Sequence, residues 1–350
     1  MADVRRVSLT PGRRLRTRVA GLVLFLPWLA QLQCEPRVTQ AGYPGAQMGP
    51  ATSALLRRLA LKWLEKARRR QISDCTFDAA LGLWAGLHSL PQTTCATADS
   101  YRTQRGHPHR VWAGWLTHLA PLLLPEAAAF CLDFHPLPYR GDPTGLDTHD
   151  IAQRGKAGTS VLTFVAHEPH RRRFGYANTN RTRADQAGER MRCIECWHAI
   201  AGRDPQWWYG DSPLAPSPER SRVHQRGSWF VTMRRRGAAV RRRLQALPAN
   251  AWRGAVLDIP QRRHQHVRFV DEPVTRRGDT GPIRPRAVDG LGRAECTLVV
   301  SNHFDARARA RRIRSAGRNS VEAILGRSVN FLHLDCWASD VRLPATCASM

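Results

Sequence analysis

The chain has 350 residues, of which 54 are Lys or Arg and 28 Asp or Glu, for a formal net charge of +26 and a pI of about 11.3. A hydrophobic share of 42% permits a packed core and excludes global disorder. The excess charge is carried mostly by Arg, whose planar fork grips phosphate bidentately, so the expected partner is a polyanion, nucleic acid by default. Nine Cys at scattered spacings form no disulfide framework and point to a reducing, cytoplasmic compartment. Cys193 and Cys196 form one Cys-x2-Cys with His198 nearby. No second ligand pair accompanies them, so they read as structural helix residues rather than a zinc site.

In chain order, residues 1–18 are basic and Val19 to Leu32 is apolar around Pro27. A basic start, an apolar run and Cys34 mimic a secretory signal. The run is too short to span a bilayer, which needs about 18–20 apolar residues, and no membrane partner is expected. The preferred reading is a buried helix of an N-terminal globular region. Residues 51–70 are helical in period, with Leu55, Leu59, Leu61 and Trp63 among basic residues. Phe77 to Leu90 and Val111 to Leu124 read as two further helices, each closed by a Pro, with Tyr101 to Pro108 as a polar link. Residues 1–125 are therefore expected to form a basic helical region.

Ala128 to Pro143, AAFCLDFHPLPYRGDP, reads as a short apolar strand that ends on Asp133 and enters a turn. Ser160 to His167 is apolar and β-branched, and Phe174 to Ala177 is a short third strand. Ala184 to Ile200 is helix-like. Trp207 to Asp211, WWYGD, is a fourth strand with an acid at its tip, and Ser228 to Met233 a fifth. Three strands, a helix and two more strands are the order of a ribonuclease-H-like core, assigned to 126–235, in which Asp133 and Asp211 would lie side by side. Further strand signals, AVLDIP, HVRFVDEPV and CTLVVSN, alternate with turn-rich links such as Arg276 to Pro285 and suggest a β-rich insertion over 236–305. Residues 306–350 open with a basic helical segment carrying Glu322. The fold class is thus α/β: a ribonuclease-H-like mixed-sheet core with a β-rich insertion, preceded by a helical region.

Two Asp at strand ends and a Glu on a helix are what two-metal phosphoryl transfer needs, because hard ions such as Mg²⁺ or Mn²⁺ prefer carboxylate oxygens and sit about 3.5–4 Å apart. The runs Arg234, Arg235, Arg236 and Arg241, Arg242, Arg243 suit backbone phosphates; the alternative is a solvated face. Trp207 and Trp208 read as core packing beside the fourth strand, with base stacking as the alternative.

Longer blocks carry a resemblance. LDFHPLPYRGDP, RGKAGTSVLTFVAHE, YANTNRTRADQAGE, GRDPQWWYGDS and FVTMRRRG resemble blocks of bacterial insertion-sequence transposases of the DDE type, in the group with a β-strand insertion before the Glu. AGYPGAQMGPATSALLRRLALKWL and FDAALGLWAGLHSLP are similar to that group's N-terminal helices, so the likeness spans roughly 35–338, in the family's order. It implies metal-dependent cleavage and strand transfer at element ends, with terminal inverted repeats and target DNA as partners, two divalent ions as cofactors and a homodimer on DNA in the nucleoid. It places the triad on Asp133, Asp211 and Glu322, with Asp133 bridging both ions. The family pattern Tyr-x2-Arg-x3-Glu-x6-Lys is met by Arg318 and Glu322, which makes Arg318 a phosphate contact. Ser315 and Val329 stand where the Tyr and the Lys belong. The chain also ends soon after VNFLHLDCWASD, where the family continues. These departures define the alternative: a truncated, inactive remnant that only binds DNA.

Overall fold

The computed structural model describes residues 17–303 except several internal stretches, among them 65–72, 140–145, 211–216, 235–236, 257–265, 272–283 and 290–295. Asp211, Arg235, Arg236, Arg318 and Glu322 lie outside the described residues.

The helical region comes first. The apolar run from Val19 is not one helix but two, α1 (Ala20–Val23) and α2 (Leu26–Gln31), with Pro27 in the first turn of α2. Proline has no N–H to give an earlier turn, so it starts a helix well and continues one badly. Leu22 and Leu29 are buried, whereas Leu24, Phe25 and Trp28 face solvent at the corner between the helices. Next come α3 (Cys34–Gln40), α4 (Ala51–Trp63), α5 (Ala79–Trp84) and α6 (Gly106–Leu123). The segment expected as a helix to Leu90 is shorter. Asp78 caps α5 by accepting from the amides of Ala80 and Leu81 (3.0 and 3.2 Å), and the chain turns out at Gly86 with φ of +69°. Leu22, Leu29, Cys34, Leu56, Leu81 and Trp84 share one core.

The sheet follows. Its strands are β1 (Ala129–Pro138), β2 (Thr148–Ile151), β3 (Lys156–Glu168), β4 (Arg173–Arg181), β5 (Trp207–Gly210), β6 (Trp229–Arg234), β7 (Arg253–Val256), β8 (His266–Asp271), β9 (Arg284–Asp289) and β10 (Thr297–Ser301). The order is β2-β3-β1-β5-β6-β10-β9-β8-β7, with β4 also pairing β3. β1 pairs antiparallel with β3 and parallel with β5, and β5 pairs parallel with β6. This mixed sheet is consistent with a ribonuclease-H-like core. The last four strands continue it from the free side of β6 rather than forming a separate layer.

Several elements were not expected, α3, β2 and a helix at Ala238–Gln245 among them. The helix α8 (Ser217–Gln225) joins β5 to β6, and β9 occupies part of the segment read as a turn-rich link. Before it, α7 (Gln186–Ala201) joins β4 to β5 and stops at Gly202, whose φ of +68° lets its N–H reach the His198 carbonyl at 2.8 Å. The last helix among the described residues, α9 (Ala238–Gln245), packs Val240 and Leu244 against Leu298 and Trp252.

Strand alternation sorts the side chains into two faces. Phe130, Leu132, Trp208, Phe230 and Val300 face α6, α7 and α8, with the Phe130 ring edge-on to Trp197 at 4.7 Å. Ala129, Cys131, Val165, Trp207 and Tyr209 share the opposite face. Trp207 and Trp208 are therefore both buried, one on each side, which is the core-packing role. Cys193 lies in the first core, on a helix, as structural cysteines do.

Candidate active site

Asp133 is not at a strand end. β1 runs on to Pro138 because its ladder with β3 continues, Asp133 opposite Val165 and Pro138 opposite Ser160. What ends near Asp133 is the other ladder: the parallel pairing with β5 stops at Leu132 opposite Gly210. Asp133 is thus the first β1 position past the described end of β5, half-buried, at the carboxyl edge of two parallel strands. That edge is where open α/β sheets bind ligands, because there the strands end and the polar chain turns leave a crevice. By alternation Asp133 belongs to the face of Ala129 and Cys131.

The electrostatics of that face follow from burial. The Cys131 thiol is pushed up to about 12, chiefly by burial and then by the charges of Glu168 and Asp133, so it is inert as a nucleophile. His167, opposite Cys131, is fully buried, and loss of water holds its pKa below the usual histidine value. Glu168 turns the β3–β4 hairpin by accepting from the amides of His170 (3.1 Å) and Arg171 (2.5 Å).

Behind Asp133, on the helix face, the Arg190 guanidinium lies 5.2 Å from the Phe134 ring centre. Beside it is Glu219, in the first turn of α8 and 9% exposed. Burial pushes the Glu219 carboxyl up to about 7 against the opposing pull of Arg190 and Arg222. A second polar centre fixes α7 to the sheet. Glu189, fully buried, accepts from the Tyr176 hydroxyl (2.6 Å), Asn178 Nδ2 (2.6 Å) and Arg181 Nη1 (3.2 Å), and pairs with Arg192. Neither Glu219 nor Glu189 was singled out in the sequence. The only visible signal was an acid in the first turn of each helix, which is common for the helix dipole alone.

Among the described residues, no group of three or more His, Cys, Asp or Glu is placed to hold a metal ion. Of the expected triad only Asp133 is described. Of the expected DNA contacts, Arg234 ends β6, opposite Leu298. Arg241, Arg242 and Arg243 are exposed on α9. A polar cavity of about 510 Å³ lies at the other edge of the sheet, lined by His198, Arg203, Asp204, Arg226 and Ser228. There Asp204 is held by Arg226 (2.8 and 3.0 Å) and by His198 (3.1 Å), a latch between α7, α8 and the entry to β5. Among the described residues no helix is long and apolar enough to cross a membrane.

No family model matches the sequence, and no curated protein matches it. Among solved structures the fold is similar to the piggyBac transposase in its synaptic complex with hairpin DNA, with a TM-score of 0.41 and 10% identity, over 94% of this chain and 72% of that one. A likeness that loose carries no weight in the functional reading, which stands on the residues.

Proposed function

We propose that the chain is a DDE-type DNA transposase of the bacterial insertion-sequence kind, cleaving and joining DNA at element ends with Asp133, Asp211 and Glu322. The observation that carries this reading is the end of the β1–β5 parallel ladder at Leu132 and Gly210. It leaves Asp133 at the sheet's carboxyl edge, and Asp211 follows Gly210 directly in the chain. The fit to divalent metal rests on donor chemistry. An all-carboxylate set suits Mg²⁺ or Mn²⁺ and suits softer ions poorly. When bound, such ions would activate the attacking oxygen and stabilise the leaving one. The protein's share is to hold Asp133 on β1, where the ladder with β3 continues past the end of the β5 ladder, so its carboxylate has little freedom to move. Arg318, four residues before Glu322 in the sequence, would contact a phosphate near the scissile bond, and Arg234, Arg235 and Arg236 the flanking backbone.

Ser315 and Val329, in place of the family's Tyr and Lys, favour a second reading: a copy that binds DNA without cutting it. A nicking assay on DNA carrying the element's terminal repeats, with Mg²⁺ or Mn²⁺, separates the two. If the first reading holds, Asp133→Asn and Glu322→Gln each lower cleavage about 100-fold or more, since several kcal/mol of charge stabilisation go with the metal. DNA binding stays nearly unchanged because the basic surface is untouched. Equal cleavage by wild type and either variant would remove the triad, and DNA binding without cleavage by wild type would favour the second reading. An experimental structure with Asp133 and Asp211 more than about 10 Å apart would also exclude a shared metal pair.

A further inference from the structure

The corner between α1 and α2 presents large apolar side chains to solvent: Leu24 is 76% exposed, Trp28 64%, and Phe25 lies between them. A globular protein rarely leaves such a group uncovered without use. The corner is also backed rigidly. Phe25 packs on Trp63 with ring centres 4.9 Å apart, and Trp63 on Trp84 at 5.4 Å. Trp84 is buried and anchored by its indole N–H to the Leu56 carbonyl at 2.9 Å.

Charge narrows what covers it. Between Thr17 and Leu64 the sequence has Arg18, Arg37, Arg58 and Lys62, with Arg57 buried, against Glu35 and against Asp78, which accepts from Thr17 and Arg18. That positive excess is complementary to an anionic occupant and disfavours a second copy in the absence of DNA. An anionic membrane is one candidate, but α1 and α2 span only 4 and 6 residues, and membrane affinity grows with buried apolar area. Double-stranded DNA needs less. Leu, Phe and similar side chains inserted between two base pairs kink the duplex, while nearby cations hold its phosphates.

We propose that the Leu24–Phe25–Trp28 corner is an apolar wedge that enters a base step of duplex DNA and kinks it. This rests on the DNA reading above and adds a second, non-catalytic way of handling the same substrate. The unstacking cost of a few kcal/mol is met by contacts along the bent duplex, and the aromatic stack behind Phe25 keeps the wedge from folding back.

The test uses the full-length protein and a duplex carrying 2-aminopurine at successive positions. Wild type raises the probe's fluorescence about threefold at one step, as a base pair unstacks. The variant Leu24→Ser/Trp28→Ser, which alters only exposed side chains, gives no rise and no bend in a fluorescence-transfer assay, with an unchanged melting temperature. Phe25→Ala gives the same loss. If wild type binds the duplex with no rise and no bend, the wedge is overturned and the DNA reading stands. If wild type binds no DNA, both fall. If wild type instead partitions onto phosphatidylglycerol vesicles, the double variant does not, and probe fluorescence is flat, the corner is a membrane contact and the wedge is overturned.

Discussion

Gly175 sits on β4 where a Cβ would stand 2.3 Å from the Phe130 ring. Phe130 is buried between Trp197 and Trp208 and cannot step aside. Gly175→Ala should therefore overpack the core and lower stability by about 1–3 kcal/mol in a denaturant titration. A variant as stable as wild type would show that the Phe130 ring can shift. Glu219 gives a pH effect with a definite sign. Its carboxyl titrates near 7 in the fold, against 4.5 when free. Between these values the unfolded chain has released the proton and the folded one retains it, so this group lowers stability as pH rises from about 4.5 to about 7, after which its penalty is constant. Glu219→Gln removes that slope, and the variant should melt above wild type at pH 8. A steeper fall for the variant across the same window would contradict the assignment. At this scale the sequence was partly legible. Asp133 stood out as an acid in an apolar run, whereas the burial that raises Glu219 depends on Arg190 and Phe134, which only the fold brings near.

The elements show where pattern suffices and where it fails. β1, β3, β5 and β6 were readable because they are apolar and β-branched or aromatic, and central strands need that character on both faces. Asp133 was misread as a terminus because an acid and two prolines interrupt the pattern. Pro136 and Pro138 are tolerated there, next to where the β5 ladder has ended. α8, SPERSRVHQ, has a weak apolar stripe and is held instead by Val223 in the core. β9, RPRAVD, looks like a turn and is a strand because β8 and β10 flank it. Asn302, just past β10, joins three elements: it accepts from the Phe230 amide at 2.8 Å, donates to the Ser228 carbonyl at 2.9 Å and bonds His224 Nδ1 at 3.2 Å. Asn302→Ala leaves a buried N–H without its acceptor and should cost about 2–3 kcal/mol by chemical denaturation. An unchanged midpoint would mean the three elements are held by other contacts.

For the whole molecule the dominant quantity is the charge of +26. It predicts DNA binding whose affinity falls steeply with salt, because each phosphate neutralised on duplex DNA releases about 0.9 counterion. Fluorescence anisotropy between 50 and 200 mM salt should show a loss of at least about 10³-fold if six or more phosphates are contacted. A flat response would remove nucleic acid as the partner.

The continuity of the sheet also sets a schedule for synthesis. Val231 of β6 pairs with Ser301 of β10, about seventy residues later in the chain. Until β10 emerges, one edge of β6 has no neighbour, while its other edge is already paired with β5. At a ribosomal pace of about 5–20 residues per second, that open edge persists for several seconds on every nascent chain. Such an edge is a template for pairing with a neighbouring chain, so a ribosome stalled between β6 and β10 should yield aggregates, whereas one stalled far enough past Ser301 for β10 to emerge should yield a chain in which that edge of β6 is paired.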